Sequence, residues 1–312
     1  MVNIIIPLYN GKDTLPLALN SLLTQTKKFF QVSIYQDGDS EDYSEIINKY
    51  RYMGLFINFY KSEKNVGAGL ARQFWLNKSK RFEYVMFLDC DDVLMPNAVE
   101  SLSRAAAVSN SDIVVGNILQ EEIGSNKILR KDSNSTWLHG KLYRTSFLLE
   151  NNITFHPLIR VNEDSYFNFV ALNSTNNKHY IDETVYMWRW NRNSITRRSS
   201  KKDFLEENDK YYFLGQIYGL EKLKELNKLD DELVCSVLVN LYRQSQLEIF
   251  YGLEPTTIDH LLSLKCIINT QEKIFNGELN EVLLPLLGAG GIEKGKAFLF
   301  TETFFDWLRS NK

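Results

Sequence analysis

Short apolar segments alternate with longer amphipathic segments over roughly the first 120 residues. The apolar segments have the length and composition of buried strands, and they lie at residues 3–8, 32–36, 56–60, 84–88 and 113–118. The segments between them repeat apolar side chains at helical spacing, at residues 14–26, 42–52, 68–78 and 97–109. Strands that alternate with helices build mostly parallel sheets covered by helices. The pattern therefore predicts an α/β fold with a Rossmann-like, mostly parallel sheet flanked by helices.

The pattern changes along the rest of the chain. Residues 123–135 are typical of a hairpin or loop, and short helices at 145–151 and 164–172 precede a strand at 180–188. From residue 203 onward almost every segment has helical spacing, with helices predicted at 204–226, 231–251 and 257–270. We therefore predict two domains, 1–200 and 201–312, the second an α-helical C-terminal region that serves acceptor binding, oligomerisation or packing.

Two C-terminal segments could be interpreted in more than one way. The basic stretch 197–202 is predicted to link the domains, with part of a phosphate- or acceptor-binding loop as the alternative. The apolar stretch 283–291 ends in glycines, and the aromatic segment 297–308 is predicted to pack as core. The alternatives for this last segment are a homo-oligomer contact, a peripheral membrane contact or contact with a carrier-bound acceptor.

Three carboxylates follow the apolar segment 84–88. Asp89, Asp91 and Asp92 stand within four residues. Carboxylates at this spacing repel one another unless they are solvated, paired, protonated or bound to a cation. Oxygen ligands suit Mg²⁺, Mn²⁺ or Ca²⁺. The segment predicts a metal or phosphate site, and the alternative is an acidic cap on the helix that follows Pro96.

Further polar segments are expected at the same edge of the sheet, because ligands of parallel sheets lie beyond the carboxyl ends of the strands. Residues 9–13 and 37–42 follow the first two strands. Asp37 could accept a hydrogen bond from a nucleobase imide, or it could belong to a plain strand–turn–helix junction. Gly67 begins the next helix and would allow a phosphate to approach its N-terminus. Arg72 is expected to reach a diphosphate or to pair with the acidic segment.

Composition narrows the class of protein. The chain has 312 residues, of which 44% are apolar, enough for one large or two smaller cores. A net charge of −3 disfavours a general nucleic-acid-binding surface. The three cysteines lack metal-site spacing and favour a reducing compartment. No apolar run approaches the ~20 residues that span a bilayer. We predict a cytoplasmic protein without a transmembrane segment, with the inner face of the membrane as the alternative location.

Seven short motifs follow one another along the chain. The first contains Pro7, Tyr9 and Asn10. The others lie at residues 36–42, 65–73, 87–96, 140–144, 162–167 and 186–196. In this order they resemble the motifs of glycosyltransferase family 2, whose fold is the nucleotide-diphospho-sugar transferase (GT-A) fold. Two depart from the family pattern: the turn at 36–42 has one extra residue, and Gln73 stands where the family usually has Asn. The resemblance covers residues 2–196 and is to inverting enzymes that build polysaccharides.

The resemblance implies a role for each site residue. A nucleotide-diphosphate sugar, by family likeness a UDP-sugar, would be bound by Pro7, Tyr9, Asn10, Asp37, Asn65, Gly67, Arg72 and Asp89. Asp91 and Asp89 would hold Mn²⁺ or Mg²⁺. Asp164 would be the general base that accepts the proton of the acceptor hydroxyl. Glu163 would raise the pKa of Asp164 through its charge. The alternative for Glu163 and Asp164 is a pair that caps a helix.

Another group is expected to line the acceptor site. Aromatic faces stack well on sugars, and basic or imidazole groups can orient hydroxyls. The group consists of Trp137, His139, Lys141, Trp188 and Arg189. Packing in the core is the alternative for His139 and for both tryptophans.

The sequence thus predicts a metal-dependent, inverting glycosyltransferase of bacterial surface polysaccharide synthesis, with a glycan or a carrier-linked hydroxyl as acceptor. One alternative is a haloacid-dehalogenase-type phosphatase with Asp89 as nucleophile, although that nucleophile normally follows the first strand of its domain. A nucleotidyltransferase needs a basic, glycine-rich N-terminal signature that residues 10–12 lack. The remaining alternative is a non-catalytic module that binds sugar or partner proteins.

Overall fold

The computed structural model describes residues 1–122, 127–132, 136–191, 201–246 and 265–288, and also residues 303, 305, 306, 309 and 310. Contacts divide the chain into two compact units, Met1–Arg198 and Ser199–Lys312. The helices in these ranges fall short of the length or the apolar character that crossing a bilayer requires.

One nine-stranded sheet organises the first unit. Its strands are β1 Val2–Leu8, β2 Phe30–Asp37, β3 Ile57–Ser62, β4 Tyr84–Phe87, β5 Val93–Leu94, β6 Ile113–Glu121, β7 Ile128–Lys131, β8 Lys141–Arg144 and β9 Lys178–Trp188. The order across the sheet is β3-β2-β1-β4-β8-β6-β9-β5, and β7 pairs with β6. The neighbours β3, β2, β1 and β4 are all parallel, whereas β8 is antiparallel to both β4 and β6.

The buried strands explain this arrangement. All seven residues of β1 are buried, as are the four of β4. Continuous apolar strands of this kind belong in parallel sheets that are covered on both faces. Because the strands are parallel, β1, β2 and β4 end at one edge of the sheet, which we call the carboxyl edge. The loops predicted to carry the site therefore meet there.

Among the described residues of the first unit, six helices accompany the sheet. They are α1 Leu15–Leu23, α2 Ser44–Tyr52, α3 Ala68–Asn77, α4 Ala98–Ser109, α5 Thr145–Glu150 and α6 Glu163–Asn173. In α1, proline stands in the first turn, where its missing N–H costs nothing. Leu15, Ala18, Leu19 and Leu22 of α1 are fully buried in the core beneath the sheet. Their spacing is that of one apolar helix face.

The α/β fold with its mostly parallel sheet is confirmed. The main differences from the sequence prediction are the short strands β5 and β8, which were not predicted. Residues 123–126 and 133–135 of the predicted hairpin lie outside the described residues, while β7 between them pairs antiparallel with β6.

The second unit is helical where it is described. Its helices are α7 Lys201–Glu225, α8 Asp231–Gln246, α9 Lys265–Phe275 and α10 Asn280–Gly288. The predicted basic stretch 197–202 and the predicted segments 257–270 and 297–308 lie wholly or partly outside the described residues. Within the aromatic segment, the ring of Phe305 lies 6.1 Å from that of Phe275, and Thr303 forms a hydrogen bond with Tyr242.

Candidate active site

The loop after β1 is tied to the loop after β2. Asn10 has a left-handed backbone (φ +48°), and its N–H donates to Asp39 Oδ2 at 2.8 Å. The N–H of Gly11 donates to the Tyr43 hydroxyl at 3.0 Å, and that hydroxyl donates to the same Asp39 oxygen at 3.1 Å. Asp39, for which the sequence predicted no role, therefore fixes the position of Asn10.

The two other predicted donor-binding residues of this region differ in accessibility. Pro7 is buried inside β1, opposite Tyr35 of β2. Tyr9 lies just beyond the strand and is 42% exposed, so its ring is accessible to a ligand at the carboxyl edge.

Asp37 holds the loop that begins α3. Its carboxylate accepts hydrogen bonds from the N–H of Val66 at 2.7 Å and from the N–H of Gly67 at 2.9 Å. Asn65 donates through Nδ2 to the Asp37 carbonyl at 3.1 Å. Burial raises the pKa of Asp37 above its ordinary value, although the two backbone hydrogen bonds oppose that rise. The structure thus brings together three predicted donor-binding residues, Asp37, Asn65 and Gly67.

Arg72 is buried and forms ion pairs with two partly buried carboxylates. It donates from Nη2 to Asp89 Oδ1 at 2.6 Å and from Nη1 to Glu163 Oε1 at 2.7 Å. Burial acts to lower the pKa of Arg72, but the two carboxylates outweigh it and raise the pKa. The sequence led us to expect that Arg72 either reaches a diphosphate or pairs with the acidic segment, and in the structure it pairs with the acidic segment. This arginine joins α3, the acidic loop and the start of α6.

The acidic loop after β4 places its carboxylates in different environments. Asp92 is buried, and it accepts hydrogen bonds from the Tyr186 hydroxyl at 2.7 Å and the Arg189 N–H at 2.8 Å. Asp91 is partly exposed and accepts a hydrogen bond from Asn191 Nδ2 at 2.9 Å. Burial, followed by repulsion from the neighbouring carboxylates, raises the pKa of both Asp91 and Asp92.

His139 faces this loop from the turn before β8. Its Nε2 lies 3.4 Å from Asp89 Oδ2 and 3.8 Å from Asp92 Oδ2. Its ring stacks on that of Tyr186 with centroids 4.6 Å apart. Burial would raise the pKa of Asp89, but Arg72 and His139 together hold that pKa below its ordinary value.

Three of these side chains offer ligand atoms that could share one metal ion. One atom each from Asp89, Asp92 and His139 lie within 4.8 Å of one another. This group differs from the predicted pair of Asp89 and Asp91. Asp91 lies in the same loop but outside the group, so its role as a ligand stays a prediction.

Asp164 lies among the same charges. Burial raises the pKa of its carboxyl group, and the positive charges of His139 and Arg72 oppose that rise. The N–H of Ser165 donates to Asp164 Oδ1 at 2.8 Å. The direction of the pKa shift is the one predicted, but its main cause is burial. Glu163, whose charge was the predicted cause, forms an ion pair with Arg72.

The predicted acceptor residues lie close to the acidic loop. The rings of Trp137 and Trp188 are 4.9 Å apart and both are partly buried, while Arg189 donates its backbone N–H to Asp92. Lys141 is fully buried and donates to the Trp137 carbonyl, and burial lowers its pKa to about 7. In this structure Lys141 supports the loop that bears Trp137, and its side chain is not exposed to an acceptor.

Three features of the fold and site together indicate an enzyme. The loops at the carboxyl edge of the sheet are of the nucleotide-binding type, the acidic loop suits a cation, and a partly buried carboxyl group lies near it. The chain belongs to glycosyl transferase family 2, whose sequence profile matches residues 3–162. It is therefore a glycosyltransferase. This finding sets aside the phosphatase and the non-catalytic module that the sequence left as alternatives.

Relatives in bacteria agree with the family. The chain is 26% identical to the uncharacterized glycosyltransferase EpsJ of Bacillus subtilis (strain 168), over 68% of this chain and 67% of EpsJ. It is 30% identical to the poly(ribitol-phosphate) beta-N-acetylglucosaminyltransferase TarP of Staphylococcus aureus (strain N315), over 59% of this chain and 61% of TarP. The chain thus spans about two thirds or less of the length of these two relatives.

A solved structure supports the fold. The crystal structure of residues 1–349 of S. aureus TarS in complex with UDP-GlcNAc superposes with a TM-score of 0.67, at 18% sequence identity, over 99% of this chain and 90% of that chain. At this identity the likeness shows the fold and not the substrate.

Proposed function

We propose that this glycosyltransferase transfers a sugar from a UDP-linked donor, with inversion, to a hydroxyl group of a bacterial cell-surface polymer. The observation that carries the proposal is the cluster in which Asp164, Arg72, Asp89 and His139 act on one another. The reaction needs both a proton acceptor and a diphosphate-binding region. Support for the proposal is that Arg72 bonds both to Asp89 of the acidic loop and to Glu163, the neighbour of Asp164. The UDP-GlcNAc complex of TarS supports the choice of nucleotide.

Asp164 is proposed as the general base. A carboxyl group whose pKa is raised by burial holds a proton more strongly than an exposed one, which suits it to accept the proton of a hydroxyl nucleophile. His139 and Arg72 oppose that rise and favour the ionised form, which is the form that can act as a base. Glu163, bound to Arg72, holds the start of α6 beside the acidic loop and has a positioning role.

The acidic loop and His139 fit a divalent cation. Carboxylate oxygens suit Mn²⁺ or Mg²⁺. Burial and, after it, repulsion among the carboxylates raise the pKa of Asp91 and Asp92, and a bound cation would relieve that repulsion. Asp89, Asp91, Asp92 and His139 are the residues that would hold it. When bound, the ion would stabilise the charge of the departing diphosphate.

The remaining residues are proposed to bind donor and acceptor. Asp37 and Asn65 would contact the base, with the exposed ring of Tyr9 beside it. Trp137 and Trp188 would pack against the acceptor sugar, since their paired rings border the acidic loop. The relative named for poly(ribitol-phosphate) supports a polymer acceptor. Such an acceptor would place the reaction in the cytoplasm or at the inner face of the membrane.

A panel of nucleotide sugars tests the proposal. We expect one or more UDP-sugars to raise the Tm of the chain in the presence of Mn²⁺ and to be slowly hydrolysed, because ligands that bind only the folded state stabilise it. Chelation with EDTA should remove both effects. Stabilisation by GDP- or dTDP-sugars but not UDP-sugars would refute the nucleotide assignment, and turnover that survives chelation would refute the metal requirement.

A further inference from the structure

The edge of the sheet opposite the candidate site is built from the turns that precede the parallel strands. Strands β3, β2, β1 and β4 start at this amino edge. Strand β6 runs in the direction of β4, because both are antiparallel to β8. The C-terminal end of α4, which precedes β6, therefore reaches the same edge.

Large apolar side chains concentrate on this amino edge. Among the described residues, the five most exposed large apolar side chains are Tyr52 (94%), Val108 (85%), Phe56 (76%), Leu158 (61%) and Phe29 (60%). All but Leu158 lie in turns or helix ends at the amino edge, and Met53 (49%) lies beside Tyr52. Single exposed apolar residues are ordinary on protein surfaces. Here several are distributed along one edge of the sheet, from the turn before β3 to the helix end before β6, and such a set can act as an interaction surface.

Basic side chains surround these apolar groups. The turns before β2, β3 and β4, with the adjoining helix ends, carry exposed cations at Lys28, Lys49, Arg51, Lys78, Lys80 and Arg81. Carboxylates near these turns include Glu83, which lies 3.9 Å from the terminal amine, and the partly buried Asp112, which lies 3.9 Å from Arg144. Glu100 accepts a hydrogen bond from Thr26, and the exposed Glu150 ends α5, which follows β8. The whole chain has a net charge of −3, so this excess of positive charge is local.

We propose that this amino-edge surface, formed by Phe29, Tyr52, Met53, Phe56 and Val108 with the six exposed cations, docks onto an anionic lipid bilayer. Aromatic side chains at the tips of turns insert at the bilayer interface, and surrounding lysines and arginines bind anionic headgroups. A soluble polyanion would match the cations but would leave the apolar tips in water. A second copy of the same surface would place like charges opposite one another.

The proposal has a consequence for the enzyme. Because the surface and the candidate site lie at opposite edges of one sheet, a bilayer bound to the amino edge would leave the carboxyl edge facing the aqueous phase. The acceptor hydroxyl would then arrive from the water side and not from the plane of the headgroups. The docking itself does not depend on the proposed donor or acceptor.

Flotation of the full chain with lipid vesicles tests the proposal. We expect binding to vesicles of equal parts phosphatidylcholine and phosphatidylglycerol, no binding to pure phosphatidylcholine, and release at high salt. Two double variants should each weaken binding to the anionic vesicles by about tenfold or more. One combines Lys49→Glu with Lys80→Glu, and the other combines Tyr52→Ser with Phe56→Ser. Their matched controls lie at the carboxyl edge: Lys61→Glu with Lys64→Glu for charge, and Leu158→Ser for exposed apolar area.

Each outcome decides the proposal, provided that every variant keeps the Tm of the parent chain. Loss of binding in the two amino-edge variants but not in the controls supports it. Absence of binding to anionic vesicles overturns it, as does equal loss in the control variants. Binding that needs the lysines but not Tyr52 and Phe56, and that polyphosphate abolishes, identifies a polyanion site instead. A dimer in solution that Phe56→Ser dissociates identifies a contact between copies.

Discussion

The side chain of Arg72 is the best example of how single residues build this site. Its guanidinium is 5% exposed and bonded to two carboxylates from distant parts of the chain. Two carboxylates around one guanidinium leave a net negative charge, and the Nε2 atom of His139 lies 3.4 Å from Asp89 Oδ2. Buried charges of this kind tolerate the loss of a partner poorly, because the remaining ion is left without compensation.

Replacement of Arg72 should therefore destabilise the fold as well as the site. We expect Arg72→Met to lower the free energy of unfolding by about 3–5 kcal/mol, the range for breaking a buried pair. Urea denaturation of both proteins measures the difference. The exposed pair of Arg104 with Glu183, at 3.3 Å, provides the control, and Arg104→Met should change stability by less than about 1 kcal/mol. Equal effects of the two variants would show that the Arg72 ion pairs contribute no more to the free energy of unfolding than an exposed ion pair does.

The proposed base can be separated from its neighbour by two isosteric changes. We expect Asp164→Asn to lower kcat for sugar transfer by at least about 10²-fold, the lower range for loss of a general base, while the donor still binds. Glu163→Gln should have a smaller effect on kcat, because Glu163 bonds to Arg72 and its proposed role is to position the start of α6. Single-turnover transfer and donor titration supply the two measurements. Normal transfer by Asp164→Asn would place the base elsewhere.

The metal ligands can be assigned by titration with Mn²⁺. If Asp91 is a ligand, Asp91→Asn should weaken Mn²⁺ binding by more than about tenfold, the lower bound known for loss of even an outer-shell partner. Binding is measured by the paramagnetic resonance signal of free Mn²⁺, which does not require turnover. Unchanged binding in Asp91→Asn, combined with weaker binding in His139→Gln, would instead assign the group of Asp89, Asp92 and His139.

At the scale of elements, Gly38 decides how closely two loops approach. It has φ +74°, and a Cβ atom there would lie 2.3 Å from the backbone nitrogen of Asn65. Backbone atoms cannot yield as the end of a side chain can. Gly38 therefore lets the Asp37 carboxylate reach the N–H groups at the start of α3.

Gly38→Ala should lower the free energy of unfolding by at least about 2 kcal/mol, since backbone strain and a steric clash act together. Gly54→Ala is the matched control: it also has positive φ, +102°, but no atom lies within 4 Å of its added Cβ. Gly54→Ala should lower the free energy of unfolding by about 1 kcal/mol, because it introduces backbone strain but no clash. Thermal or urea unfolding separates the two, and equal losses would mean that the close approach of the loops is unimportant.

The elements also show what could be predicted from sequence. The buried strands β1, β2 and β4 were predicted because their apolar runs are local signals, and the ordered motifs placed Asp164 and the acidic loop in one family pattern. The four-residue strand β8 gave no such signal. Strand β8 pairs antiparallel with β4, and Leu142 lies opposite Met86. In the same register His139, three residues before Leu142, corresponds to Asp89, three residues after Met86. The contact of His139 with Asp89 and Asp92 depends on that long-range pairing, which no local pattern encodes.

At the scale of the whole molecule, every predicted site residue belongs to the first compact unit. The nine-stranded sheet and its core also lie within Met1–Arg198. A unit that contains its own core can fold by itself. The donor site should then be complete without Ser199–Lys312, while the proposed contributions of the second unit, to acceptor binding or oligomerisation, should be lost.

Expression of residues 1–198 tests this division. We expect a single cooperative unfolding transition and the same UDP-sugar-dependent rise in Tm as in the full chain, because binding to the folded state stabilises whichever unit holds the site. Transfer to a polymer acceptor should fall further than donor hydrolysis if the helical unit binds the acceptor. An equal fall in both activities would point to a packing role for the helices. A fragment that fails to fold would show that the two units form one cooperative structure.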